Sequence, residues 1–315
     1  MHPVSQIKPK RLYPGDTIGI IAPASPGDLE LFMAGIAFLG EKGFHVELGR
    51  TVEQTLGYLA GSDADRAEDI NAMFASPKID GIFCLRGGYG TMRLLDLLDY
   101  DVIRSHPKVF VGYSDITALH ISIGQRTGLV TFHGPMVASD MGKGLSDYTW
   151  DCFFRALMVS DPLGPVLNPP LSLPPEFILP GKAEGYLTGG NLSLIVSTLG
   201  TPYEIDTRGK ILCLEEVGEA PYRMDRMLTQ LSLAGKLQDA AGIVVAVCRD
   251  CDQDDPPTFT LEEVLRDRLG NLNKPVLSKL YFGHTGEKAT LPLGAMARLS
   301  SERGNLEIIE IATTK

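Results

Sequence analysis

Long apolar runs are absent from this sequence. Its most apolar stretches, 18–22 and 242–248, are of strand length, well short of the ~18 uninterrupted apolar residues a membrane span requires, which excludes an integral membrane protein. Residues 1–16 carry Lys8, Lys10 and Arg11 among three prolines, but no apolar segment ending at a small-residue cleavage site follows, so a cytoplasmic location is expected. Cysteine is sparse and odd in number. The five lie scattered at 84, 152, 213, 248 and 251, three of them (84, 213 and 248) in or beside apolar strand-like runs that suit a small buried thiol, and no disulfide framework is expected. Basic clusters are missing too. With 29 Lys and Arg against 39 Asp and Glu the net charge is −10, and no run of cations long enough to track a phosphate backbone exists, which argues against nucleic acid as a partner. Metal patterns also fail. The acidic stretch 250–255 starts like a calcium loop but has Asp255 where glycine is needed and Leu261 where glutamate is needed. Cys248 and Cys251 have zinc-like spacing without a second Cys or His pair, and no H-E-x-x-H occurs. A solvated acidic loop accounts for this segment.

What is present suffices for two domains. The 315 residues are about twice a ~150-residue domain, and 44% hydrophobic against 22% charged residues is the balance of a folded soluble chain. Seven of the 21 prolines fall between 161 and 182, where they remove backbone donors and rule out a regular helix or a central strand. That stretch reads as an extended linker between an N-terminal domain, 1–160, and a C-terminal domain, 183–315. Upstream, strand-like runs at 17–22, 44–48, 81–85 and 108–112 alternate with helical patterns at 29–42, 63–75, 89–98 and 116–125. Such βαβα punctuation predicts an α/β fold with a parallel sheet, helices on both faces, and ligands at the carboxyl ends of the strands. Downstream, strands at 210–215, 242–247, 275–279, 295–300 and 305–311 with helices at 191–199, 221–234 and 261–269 predict a second, smaller α/β or α+β domain.

Two glycine-containing turns fall at that carboxyl edge. KVFVGYSDIT (108–117) runs from a strand through Gly112 and Ser114 into a helix, so a Ser114 hydroxyl projects above the sheet beside the N–H of Asp115 at the positive end of the helix. This resembles a nucleophile elbow, although Ile116 stands where G-x-S-x-G has its second glycine; a helix-capping serine is the competing reading. LRGGYG (85–90) follows another strand and is either a tight turn or a pocket whose backbone N–H groups face an anion; it is neither a Walker loop nor a dinucleotide fingerprint. A serine nucleophile needs a base. Among His2, His45, His106, His120, His133 and His284, the last sits in a glycine-flanked loop directly after a strand, with His133 its rival, while His106 and His120 read as surface or packing residues. The strand 210–216 ends in Glu215 and Glu216, facing opposite ways, so that either one of them orients an imidazole or both are solvated charges at a strand end.

Taken together, these motifs resemble the LD-carboxypeptidases (muramoyl-tetrapeptide carboxypeptidases), a serine peptidase family that includes the microcin C self-immunity peptidases. The resemblance runs through PGDTIGIIAPAS (14–25), RGGYG (86–90), GYSDIT (112–117), HGPM (133–136), GGNL (189–192), the strand ending at Glu215 with Asp225 and Arg226 on the following helix, and Gly283-His284. It implies a Rossmann-like domain carrying the nucleophile Ser114 and a second domain carrying His284 as general base and acid and Glu215 as its orienting carboxylate. The implied oxyanion donors are the backbone N–H groups of Asp115 and Gly87. The implied reaction is release of the terminal D-Ala from a murein tetrapeptide in peptidoglycan recycling, without metal or organic cofactor, by a homodimer. An arginine fork suits a terminal carboxylate, so Arg86 is a candidate there, with Gly88 and Tyr89 as further substrate-binding candidates; Arg86 equally fits a structural ion pair. Two alternatives stand beside this reading. One is an immunity-type peptidase acting on peptidyl-nucleotides, a type that stacks an aromatic residue on the base; here the lone Trp150 lies near the end of the first domain and no stacking loop is evident in the second, which favours the murein reading. The other is a non-catalytic ligand-binding protein on the same plan.

Overall fold

Apolar residues dominate the runs β1 (Thr17–Ile21), β3 (Gly81–Cys84) and β4 (Val109–Gly112), and each is buried along nearly its whole length, as strands covered on both faces are. In the computed structural model, which describes residues 5–252 and 257–315, they pair in parallel with β2 (His45–Leu48) and β5 (Thr131–His133) in the order 2-1-3-4-5. The connecting helices are α1 (Leu29–Glu41), α2 (Asp63–Ala75), α3 (Tyr100–Ser105) and α4 (Thr117–Thr127), followed by α5 (Asp147–Met158). Caps fix several of their starts: the side chains of Asp28, Ser62 and Ser146 each accept a backbone N–H in the first turn of α1, α2 and α5.

The chain divides into two compact units, the first made of residues 1–161, 290–294 and 312–315, the second of residues 162–289 and 295–311. The second unit is built on β6 (Gly164–Val166), β7 (Glu176–Leu179), β8 (Lys182–Asn191), β9 (Ile211–Glu215), β10 (Gly242–Ala246), β11 (Val276–Leu280), β13 (Met296–Ser300) and β14 (Asn305–Ile308), in the order 6-14-13-8-9-10-11-7. The run from β8 to β11 is parallel and the flanking strands are antiparallel. Its helices are α6 (Leu192–Ser197), α7 (Pro221–Leu233), α8 (Lys236–Asp239) and α9 (Leu261–Leu269).

Several details depart from the sequence reading. The proline-rich stretch 161–182 is no free linker: it supplies β6 and β7, at opposite edges of the second sheet, where a missing N–H costs no ladder bond. The ten-residue strand β8 was hidden by its charges and glycines. Residues 183–315 do not all stay in the second unit, because β12 (Leu291–Leu293) returns to pair antiparallel with β5 in the first. The helical pattern at 89–98 is a 3-10 helix, Thr91–Leu97, entered from Gly90. The acidic stretch 250–255 and the N-terminal stretch 1–16 lie partly outside the described residues. Among the described residues no helix is long and apolar enough to cross a membrane, and no group of three His, Cys, Asp or Glu is placed to hold a metal ion.

Candidate active site

In a parallel sheet of order 2-1-3-4-5 the strand order reverses between β1 and β3, the switch point at whose carboxyl ends ligands of open α/β sheets bind. Those loops are bonded to each other in the first unit. Ser25 N–H donates to the Gly87 carbonyl at 3.4 Å, and the Ser25 hydroxyl accepts the N–H of Tyr89 at 3.2 Å. The turn after β4 joins them. Tyr113 is extended and Ser114 has φ 66°, a left-handed conformation that costs a non-glycine residue about 1–2 kcal/mol and that marks strained nucleophile turns. Ser114 occupies neither helical cap: those positions are Tyr113, before the 3-10 turn Ser114–Ile116, and Ile116, before α4. The departure from G-x-S-x-G is accommodated at the first glycine, since a Cβ on Gly112 would lie 2.9 Å from the Ile116 side chain.

Gly87 lies directly against this turn. A Cβ there would sit 2.8 Å from Ser114 Cβ, 3.0 Å from its Oγ and 3.5 Å from Asp115 N, so the absent side chain leaves a small space bordered by the hydroxyl and a backbone donor. The Asp115 carboxylate points away to work, accepting the Thr91 N–H at 2.8 Å, while its carbonyl accepts the Thr91 hydroxyl at 2.5 Å. Burial pushes the Asp115 carboxyl above the usual range, opposed by the hydrogen bonds from Thr91 and from the backbone of Gly90. His120 is not a surface residue. Its ring is buried, with Nε2 2.8 Å from the Gly112 carbonyl and Nδ1 2.8 Å from the Thr131 hydroxyl; burial lowers its pKa to about 3, so it is a neutral tether on the last carbonyl of β4. His106 is exposed, and the rival base His133 is buried on β5.

In the second unit, β9 ends at Glu215, and His284 Nδ1 lies 2.6 Å from Glu215 Oε2. Glu215 is 1% exposed and His284 19%. A carboxylate that accepts Nδ1–H leaves Nε2 as the basic nitrogen. Gly283, at φ 75°, makes the approach possible, because a Cβ there would fall 2.6 Å from the same carboxylate oxygen. Neither glutamate is a solvated strand-end charge. Glu216 turns the other way, accepting Asn191 Nδ2 at 2.9 Å, Ser193 N at 2.8 Å and Val217 N at 3.0 Å, and burial raises its pKa against those bonds. It secures the start of α6, whose N-cap is Asn191.

The substrate-binding candidates divide. Arg86 donates to the Pro26 carbonyl at 3.3 Å, so the proposed structural ion pair is replaced by a backbone contact. Gly88 is exposed, and Tyr89, also exposed, packs edge-on against Tyr58 with ring centroids 5.5 Å apart. Trp150 is held in an aromatic cluster with Phe38 and Phe153, with Lys42 Nζ 4.4 Å above its ring. Sequence reasoning missed Ser25 and Thr91; Ser25 ends the PGDTIGIIAPAS stretch, but nothing local shows that it braces the glycine loop.

Residues 18–134 match the LD-carboxypeptidase N-terminal domain and residues 184–299 the LD-carboxypeptidase C-terminal domain. A probable murein peptide carboxypeptidase of Bacillus subtilis is 44% identical over 301 residues, covering 93% of this chain and 92% of its own. The crystal structure of a muramoyltetrapeptide carboxypeptidase from Oxalobacter formigenes superimposes with a TM-score of 0.84 at 31% identity, covering 95% of this chain and 100% of that one. The microcin C7 self-immunity protein of Escherichia coli superimposes with a TM-score of 0.88 at 28% identity, covering 98% and 100%.

Proposed function

The chain belongs to the LD-carboxypeptidase family, and from that premise we propose that it is a serine carboxypeptidase releasing the C-terminal D-Ala of murein tetrapeptides. Ser114 attacks the scissile carbonyl while His284 Nε2 takes its proton, and Glu215 holds Nδ1–H and stabilises the imidazolium. The oxyanion is received by the N–H groups of Gly87 and Asp115. Collapse of the tetrahedral intermediate breaks the C–N bond, His284 returns the proton to the departing D-Ala amine, and water then hydrolyses the Ser114 ester by the same proton route. No step of this cycle uses a metal or an organic cofactor. The observation that carries the reading is the buried Glu215 carboxylate bonded at 2.6 Å to His284 Nδ1, a pairing that fixes the imidazole tautomer and makes Nε2 its basic nitrogen.

The reading assigns the nucleophile to the first unit and the Glu–His pair to the second, as in the family. It extends to a cytoplasmic homodimer acting in peptidoglycan recycling, with a net charge of −10 disfavouring nucleic acid. A second reading, an immunity-type peptidase acting on peptidyl-nucleotides, is favoured by the close superposition on the microcin C7 self-immunity protein. Against it, Trp150 is engaged in its own cluster rather than offered as a stacking face. Incubation with murein tetrapeptide, followed by mass spectrometry, separates the two. Tripeptide and free D-Ala from the wild type but not from Ser114→Ala support the proposal; intact tetrapeptide together with cleavage of a peptidyl-nucleotide overturns it.

A further inference from the structure

Helix α2 buries two charged side chains, Asp69 and Arg66, at 4% and 0% exposure. A buried charge is costly unless it is paired, and apolar residues of similar size commonly pack at least as well. Each of these two therefore calls for partners that explain it. Asp69 accepts the N–H groups of Arg50 and Thr51 and the Thr51 hydroxyl, fixing the turn after β2. Arg66 reaches the loops of the site. Its Nη1 donates to the Pro23 carbonyl at 2.5 Å and to the Gly90 carbonyl at 3.2 Å, and its Nη2 to Asp63 at 2.5 Å. Asp63 is itself fixed from outside by Arg93, whose Nε and Nη2 bond it at 2.8–3.0 Å. A Cβ on Gly90 would lie 2.7 Å from Arg66 Nη1, so the loop runs flush over the guanidinium.

We propose that Arg66 is a positioning residue that sets the oxyanion donors of Gly87 and Asp115; this rests on the reading given above. From Pro23 the chain continues to Ser25, whose N–H holds the Gly87 carbonyl. From Gly90 it continues to Thr91, whose N–H meets the Asp115 carboxylate. One guanidinium thus holds the 86–90 loop, which borders the Ser114 turn, and the 23–25 loop bonded to it. Its planar fork suits two carbonyls and a carboxylate at once, which a lysine ammonium reproduces only in part.

The test compares Arg66→Met and Arg66→Lys with wild type on murein tetrapeptide, with rates expressed per serine labelled by a fluorophosphonate. Loss of a donor's alignment is expected to lower kcat of the Met variant on the order of 10- to 100-fold, below the hundredfold or more of a deleted donor, with KM changed less than about threefold. Affinity for a phosphonate transition-state analogue should fall with kcat/KM, and the Lys variant should recover part of both. A purely structural role would reduce the labelled fraction and leave the rate per labelled site alone; a rate within about twofold of wild type, or a rise in KM alone, overturns the proposal. If the Met variant does not fold, the Lys variant and Asp63→Asn decide by the same criterion. Turnover of tetrapeptide by Ser114→Ala would instead overturn the underlying reading and leave the loop effect of Arg66 separately measurable by its kinetics.

Discussion

The space left by Gly87 gives the sharpest prediction. In Gly87→Ala the new methyl would stand 2.8 Å from Ser114 Cβ and 3.0 Å from Oγ, where carbon contacts are comfortable only near ~3.5–4.0 Å. The turn must yield by several tenths of an ångström, at a stability cost of about 1–3 kcal/mol typical of overpacking. The catalytic effect should be larger. The methyl would lie 3.5 Å from Asp115 N, and on the proposed assignment an oxyanion must approach that N–H to about 2.7–3.1 Å, so oxygen and methyl compete for the same space. Losing one such donor is worth roughly a hundred- to a thousandfold in kcat, about 2.7–4 kcal/mol, and the expected defect falls in that range. The assay is steady-state release of D-Ala from murein tetrapeptide, with thermal melting to confirm that the variant is folded. A folded Gly87→Ala enzyme retaining kcat/KM within about threefold of wild type would refute the assignment of this space to the developing oxyanion.

Two other perturbations follow from the same geometry. Because Ser114 is held at φ 66°, Ser114→Gly should be inactive yet more stable than Ser114→Ala by about 1 kcal/mol, relieving strain that the alanine variant keeps; equal denaturation midpoints would count against the strain. His120 supplies a pH dependence. Its pKa falls from 6.5 to about 3 on folding, so below pH 6.5 the unfolded chain binds the extra proton and stability is lost as pH drops toward 3. Relative to neutral pH the loss reaches about 2 kcal/mol at pH 5. His120→Gln should flatten that part of the profile in urea unfolding between pH 7 and 4.5, and a slope equal to wild type would contradict the buried neutral ring.

Local pattern carried a good deal of this protein. Apolar strands alternating with helices specify a parallel sheet, and glycine and serine at 85–90 and 112–117 specify turns at its carboxyl edge, because side-chain periodicity and turn chemistry act over a few residues. Candidate site residues were accordingly nameable as types at positions. Partnership was another matter. Adjacent in sequence, Glu215 and Glu216 differ in the face they take on leaving β9; tertiary packing gives one to His284 and the other to Asn191 and Ser193. His120 became a core tether and Arg66 a buried brace only when α4 and α2 packed on the sheet, since a lone polar residue in a helical pattern looks alike whether it faces water or two carbonyls. The proline-rich stretch became edge strands, and Leu291–Leu293 joined a sheet whose other strands end well over a hundred residues earlier. The sequence by itself determined the element types and the chemistry available at each turn. Tertiary structure alone decided which groups meet, because long-range pairing depends on burial and register summed over the whole fold rather than on any local run of residues.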